Sequence, residues 1–256
     1  MRRMILVAVF LLTSSVAMAT DPQVVWVGGG AQVSNDDRPG YMADTMISLG
    51  SYNSATFFFN PMIILKHSKV GVDVGLGGRL PMFSGEMIGG LNAFFDYTND
   101  QNHRRLGLGG ELFHPKFSGH VNVYLPLSDQ QGNEEALPGF DFAVGIPVPN
   151  ASYISVWPGF YYYNGRHEDD LKGISLALQV RPVQALTFIL GARNDTPSAG
   201  RDDSEIYARI ELTIPMSRMG KDLWRFDRGK YPVDINSQMD RRVSRERFIA
   251  IEKRHD

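Results

Sequence analysis

The sequence predicts an all-β chain, a transmembrane antiparallel β-barrel of about twelve strands followed by a C-terminal linker or tail. Three observations predict it. Runs of about ten residues alternate apolar and polar side chains, which point to opposite faces of a strand, at the length a tilted strand needs to cross a bilayer. The connections alternate between short and long, and the long ones are charged, as in outer-membrane barrels with tight turns on one side and loops on the other. The less apolar face carries charges that a soluble sandwich would bury at a heavy desolvation cost.

The chain opens on Arg2 and Arg3, the apolar run Met4 to Leu12, Ser14 and Ser15, and then Ala17-Met18-Ala19. A basic end, a short apolar core and an A-x-A site read as a secretory signal peptide, residues 1–19, cut after Ala19. The run is too short to span a bilayer as a helix, and no later stretch is long and apolar enough to do so. The sequence has no cysteine, so an exported chain of this kind is stabilised by packing and strand pairing. A formal charge of -2 argues against nucleic acid as a partner.

Residues 20–214 read as the barrel. Val24 to Val33 is the first strand, Ala43 to Gly50 the second, and Ser54 to Leu65 the third, with a bulge or bend expected at Pro61 because proline cannot donate to the ladder. In the fourth, Val70, Val72, Val74, Leu76 and Leu80 oppose Gly71, Asp73, Gly75, Gly77 and Arg79. In the fifth, Met87, Gly89, Leu91, Ala93, Phe95 and Tyr97 oppose Glu86, Gly90, Asn92 and Asp96, with Ile88 and Phe94 as apolar exceptions. The sixth sets Leu106, Leu108 and Leu112 against Arg105, Gly107, Gly109 and Glu111. The seventh sets Phe117, Val121, Val123 and Leu125 against Ser118, His120, Asn122 and Tyr124. Phe140 to Ile146 alternates with Asp141, Ala143 and Gly145. The strand through Ile154, Val156, Phe160 and Tyr162 should bend at Pro158. Ile174 to Val180 opposes Ser175, Ala177, Gln179 and Arg181; Leu186, Phe188 and Leu190 oppose Thr187, Gly191 and Arg193; and Ile206 to Ile214 opposes Tyr207, Arg209, Glu211 and Thr213.

The residues expected to line the lumen are therefore Asp73, Arg79, Glu86, Asn92, Asp96, Arg105, Glu111, His120, Asn122, Asp141, Arg181, Arg193, Arg209 and Glu211. Tyr97, Phe113 and the run Tyr161 to Tyr163 lie near strand ends and read as a membrane-interface girdle. Residues 215–256 change in composition: arginine, lysine and interspersed acids replace the strand pattern. This tail is long enough to thread the pore, where Arg241, Arg242, Arg245 and Arg247 are expected to meet Glu86, Asp96, Glu111 or Asp141.

The stretch GGLNAFFDYTNDQNHRRLGLGGELF resembles the β-domain of the intimin and invasin family, the inverse autotransporters. The positions that carry the resemblance are Gly90, Asn92, Phe94 and Asp96, then Arg105, Leu106, Gly107, Gly109 and Glu111, then Leu127 and Ser128. Val74 to Gly77 upstream resembles a further strand of that domain. Arg241 to Val243 and Ile249 to Arg254 resemble the segment that leaves the barrel. The resemblance implies a twelve-stranded outer-membrane barrel whose following segment threads the pore and displays a passenger. The sequence ends at Asp256, directly after that segment, so a short form without a passenger is expected, and no peptidoglycan-binding module is expected between Ala19 and the first strand.

Ser118, His120 and Asn122 share one strand face and could serve a lipid-acting hydrolase, but lumen-facing polar residues explain them as well. The other histidines (His67, His103, His114, His167 and His255) sit in turns, loops or the tail without metal-ligand spacing and read as solvated. No catalytic, cofactor or metal site is expected. The expected role is that of an anchor or surface-exposed structural or adhesion-related protein, or a narrow pore. The alternatives are a hydrolase built on Ser118 and His120, or an exported soluble β-sandwich that binds a ligand. Partners are outer-membrane lipid, the barrel assembly machinery and an unidentified surface partner.

Overall fold

The structure is a computed structural model, described for residues 21–35, 38–66, 68–99, 101–167, 169–195, 204–218, 221–226 and 232–253. The signal-peptide reading falls on residues outside that set, as do His67 and His255. The strands are β1 (Gln23–Ser34), β2 (Gly40–Tyr52), β3 (Ala55–Lys66), β4 (Lys69–Met82), β5 (Met87–Thr98), β6 (Arg104–His114), β7 (Phe117–Pro126), the short β8 (Glu134–Ala136), β9 (Gly139–Val148), β10 (Ala151–Tyr163), β11 (Leu171–Val183), β12 (Leu186–Asp195), β13 (Ser204–Pro215) and the short β14 (Ile251–Lys253). All but β8 and β14 form one closed antiparallel barrel, in which each strand pairs with its sequence neighbour, β7 pairs with β9, and β1 pairs with β13. Closure leaves no barrel edge, so the backbone groups pair strand to strand around the ring.

The alternation sorts the side chains between two environments. Leu91, Ile174, Leu176, Leu190 and Ile206 are exposed on the outer surface, Leu91 at 75%. Asp44, Asp73, Arg79, Asp96, Arg105 and Glu111 are buried within the barrel. Apolar outside and charged inside is the reverse of a water-soluble fold, so the sandwich alternative fails. The interior is not uniformly polar. Ile88 and Phe94, the two apolar exceptions of β5, point inward and are each 1% exposed. Phe94 packs with Trp26, Met46 and Phe58 around Val243 of the tail.

One rim has only tight turns. The β2–β3 hairpin turns on Asn53 and Ser54, both at positive φ (49° and 66°), the mirror-image turn that matches strand twist. The other rim carries the longer connections, except that β3 and β4 are separated by only two residues. Pro61 and Pro158 stay within their strands without a register shift, Pro61 opposite Val74 and Pro158 opposite Leu176. On the other side the pairing lapses at each proline, between Asp44–Met62 and Ile47–Phe59 and between Val156–Ile146 and Gly159–Ala143, as expected of a residue that cannot donate to the ladder. The register shifts fall elsewhere, between Val24 and Trp26, Ser48 and Gly50, Ala151 and Ser155, and Val180 and Val183, all toward the tight-turn rim.

The last strand ends at Pro215 on the tight-turn rim, and the chain turns back into the barrel. Val233 donates its N–H to the Pro115 carbonyl at that rim (2.9 Å). The segment from there climbs the interior. At the opposite rim Leu137 donates to the Ala250 carbonyl (2.9 Å), and β14 pairs with β8 of the β7–β9 connection.

Candidate functional site

The chemistry of this chain is concentrated where the tail meets the barrel wall. Near the tight-turn rim, the indole N–H of Trp26 donates to the Asp240 carbonyl (2.8 Å). Arg79, 1% exposed, holds Glu111 through Nε and Nη2 (3.1 and 2.9 Å) and gives Nη1 to the Met239 carbonyl (2.7 Å). Further along the tail, Arg242 grips Asp44 with two parallel bonds (2.8 and 2.7 Å) and reaches Glu211 with Nη1 (2.8 Å). Paired N–H donors matched to both carboxylate oxygens are the strongest form of this contact. A Cβ on Gly28 would collide with the Arg242 guanidinium, so the wall has only hydrogen where the tail needs room.

Higher in the barrel, Arg245 bridges Asp73 (2.6 Å) and Asp96 (3.0 Å) and lies over the Phe94 ring at 4.0 Å. Arg105 of the wall donates to the same Asp96 oxygen, Oδ2 (2.8 Å), and to the carbonyls of Glu246 (2.8 Å) and Phe248 (3.0 Å). Arg193 pairs with Glu246, and Arg247 with Glu211 (2.8 Å). The Tyr124 hydroxyl accepts from the Glu246 N–H (2.7 Å) and donates to Asp141 (2.5 Å). Phe248 then packs on Met42, Met62 and Ile64, with the Lys66 ammonium 4.1 Å from its ring centre. At the far rim, both oxygens of Glu252 accept backbone N–H groups of Arg166 (3.1 Å) and His167 (2.8 Å), while Arg166 pairs with Glu135 (2.8 Å). Ligand atoms of Glu135, His167 and Glu252 lie within 4.8 Å of one another; the guanidinium and the two amides already occupy those carboxylates.

Apart from Arg193 with Glu246, the buried pairs between wall and tail divide one way. The wall offers Asp44, Asp73, Asp96 and Glu211, and the tail supplies Arg242, Arg245 and Arg247. Buried pairs of this kind are weak net stabilisers, but removing one partner strands a charge and costs about 3–5 kcal/mol. They select one path and one register for the tail. Burial of Val243, 3% exposed, adds the apolar share, about 1.5–3 kcal/mol for a side chain of its size.

Of the residues expected in the lumen, Asp73, Arg79, Asn92, Asp96, Arg105, Glu111, Asn122 and Glu211 are buried in the interior. His120 and Asp141 pair at 3.4 Å, and Asn122 donates to Asp141 (2.9 Å) and to the Ser244 carbonyl (3.2 Å). Arg193 contacts the tail, and Arg209 reaches Gln32 (2.8 Å) and Glu211 (3.6 Å). Glu86 departs: it is exposed in the tight turn before β5, where the alternation has already stopped. Arg181 is exposed but lines the lumen cavity at its mouth. The expected tail pairings hold only for Asp96. Glu111 is taken by Arg79, Asp141 by wall partners, and Arg241 meets the amide oxygens of Gln238 (3.0 Å) and Gln179 (3.2 Å). Tyr161, Tyr163 and Phe113 are buried inside and do not form an interface girdle, and His103, at 0% exposure, is not solvated. Asp44, Asn60 and Trp26 were missed. Asp44 sits between Met42 and Met46 and Asn60 between Phe58 and Met62, so apolar neighbours on the same face hid them, although strict parity would have found both.

Ser118 and His120 lie on one face of β7, but among the described residues no hydrogen bond joins them, and the His120 ring rests beside Trp157 at 5.9 Å. The tail leaves one side of the lumen open. A cavity of about 700 Å³ remains against β9–β13, floored by the tail.

A closed barrel of twelve antiparallel strands with an apolar exterior and a charged interior is an outer-membrane β-barrel. Residues 30–245 match the inverse autotransporter β-domain, and the chain belongs to that family. Among solved structures, it is similar to the protein reported in a study of the mechanism behind in-meso crystallization of membrane proteins, with a TM-score of 0.73 at 17% identity over 90% of this chain and 100% of that one. It is also similar to an outer membrane channel from Pseudomonas putida F1 (TM-score 0.54, 8% identity, 78% and 98% covered) and to the KdgM porin (0.51, 10% identity, 73% and 98%). At these identities the likeness is one of fold. No curated protein matches the chain in sequence.

Proposed function

We propose that this protein is a non-enzymatic outer-membrane anchor whose own C-terminal segment threads and obstructs the pore and is held at the cell surface, where it serves a structural or adhesion-related role. The observation that carries this reading is the path of residues 232–253, which are bound from the Pro115 rim to the β8 rim by alternating ion pairs and carbonyl contacts. Fixed in this way, the segment acts as a plug and not as a passing solute. Tight turns face the periplasm and the longer connections face outward, so the tail ends outside. Export by a signal peptide cleaved after Ala19 delivers the chain to the barrel assembly machinery.

An epitope tag placed after Asp256 tests the proposal. It should be labelled on intact cells, as should a tag inserted at Gly132, while a tag at Lys116 should be labelled only after permeabilisation. A C-terminal tag that stays hidden while the Gly132 tag is labelled would overturn the threaded-anchor reading. In planar bilayers the full chain should conduct poorly.

A further inference from the structure

We infer that the cavity beside the tail is a binding site for a small oxyanion, a carboxylate or a phosphate, entering from the periplasmic mouth and held by Arg241 with Arg181. The inference rests on the threaded tail, because the tail supplies Arg241.

Arg241 and Arg242 are adjacent in sequence and opposite in fate. Arg242 turns to the wall and satisfies Asp44 and Glu211, and Arg245 and Arg247 each meet wall carboxylates as well. Arg241 turns the other way, into the cavity of about 700 Å³. Among the described residues no carboxylate lies within ion-pair distance of it. Its hydrogen bonds go to neutral amide oxygens, Gln238 at 3.0 Å and Gln179 at 3.2 Å. A guanidinium cannot shed its charge, and charges inside proteins are paired. These two bonds use two of its five donors, and the rest remain for the space that it lines. The guanidinium carbon also lies over the Trp157 ring, 5.2 Å from its centre, so ring and amides together position it before anything binds.

Arg181 lines the same cavity. An oxyanion there can accept from the Arg241 fork and reach the Arg181 guanidinium as well. The volume exists because β9, β10 and β11 present Ala143, Gly159, Ser175 and Ala177 inward, while the tail is drawn toward the carboxylates of β2, β4 and β5. Ser152, Asn236 and Ser237 line the same cavity. They belong to the β9–β10 turn rim and to the start of the climbing tail, and they mark the entrance.

The test uses the purified full chain in detergent, with calorimetric titration of inorganic phosphate, of glucuronate and of neutral glucose. Phosphate or glucuronate should bind saturably, more weakly at higher salt, and glucose should not; the two anion arms decide which oxyanion the cavity accepts. Arg241→Gln and Arg181→Gln should each weaken that binding at least tenfold, with heat-modifiable gel migration confirming a folded barrel. Arg166→Gln, at the far rim, should leave it unchanged. Binding of neither anion, equal binding of glucose, or undiminished binding by a folded Arg241→Gln protein would overturn the site. Threading fails separately, through the C-terminal tag.

Discussion

Arg245→Met removes the cation that neutralises two carboxylates at the middle of the barrel. The Arg245 side chain is 3% exposed, Asp73 2% and Asp96 1%, so water cannot take over its role. Asp96 keeps Arg105 at 2.7 Å, which leaves Asp73 as the stranded group. One orphaned buried carboxylate should cost about 3–5 kcal/mol. The methionine stem retains much of the packing over Phe94, so little of that figure is lost dispersion. Arg241→Met offers the comparison within the same tail. Its side chain bonds neutral amides only, and its loss should cost about 1 kcal/mol. The assay is reversible urea unfolding of the barrel refolded into lipid vesicles, with protease protection of residues 232–253 as a second readout, since a destabilised tail can leave the lumen before the barrel unfolds. Asp73→Asn introduced into the Arg245→Met protein removes the stranded charge and should recover a substantial part of the loss, giving a coupling of about 0.5–3 kcal/mol in the double-mutant cycle. Equal costs for Arg245→Met and Arg241→Met, or a deeper loss on adding Asp73→Asn, would refute the argument that the tail is held by charge neutralisation in a dry interior.

Leu176→Arg should destabilise the inserted barrel by about 2–4 kcal/mol where that side chain faces the bilayer midplane, whereas Ser175→Arg, one residue away and turned inward, should cost far less in the same vesicle assay; equal tolerance at both would contradict the face assignment. Gly28→Val places side-chain atoms where Arg242 and the Leu212 carbonyl already lie, so it should destabilise by about 1–3 kcal/mol and expose the tail to protease, while Gly85→Ala, in an open turn at φ +88°, should act through backbone strain alone and leave the tail protected.

The fold was legible because barrel architecture is written in a local property. A pleated strand sends successive side chains to opposite faces whatever lies around it, so Leu91 and Asn92, or Leu176 and Ser175, declare their sides without reference to any partner. Loop asymmetry, the strand count and the charged inner face follow from the same reading. One exception was also informative: Phe94 broke the polar pattern because the interior holds an apolar cluster with Val243 as well as ion pairs.

What the sequence by itself determined was the closed, inside-polar barrel and an arginine-bearing tail able to enter it; what the tertiary structure alone decided was which charge meets which. Arg242 finds Asp44 across an interval of 198 residues, and Arg245 finds Asp73 across 172. These partners are set by the height at which each tail residue stands in the lumen, and that height depends on the stagger of twelve strands and on where the tail turns back at Pro215. No local pattern encodes it. For the same reason the cavity at Arg241 could not be read in advance: adjacent arginines look alike in a sequence, and only the wall opposite each one, carboxylates for Arg242 and the neutral Gln179 amide beside the cavity for Arg241, tells them apart.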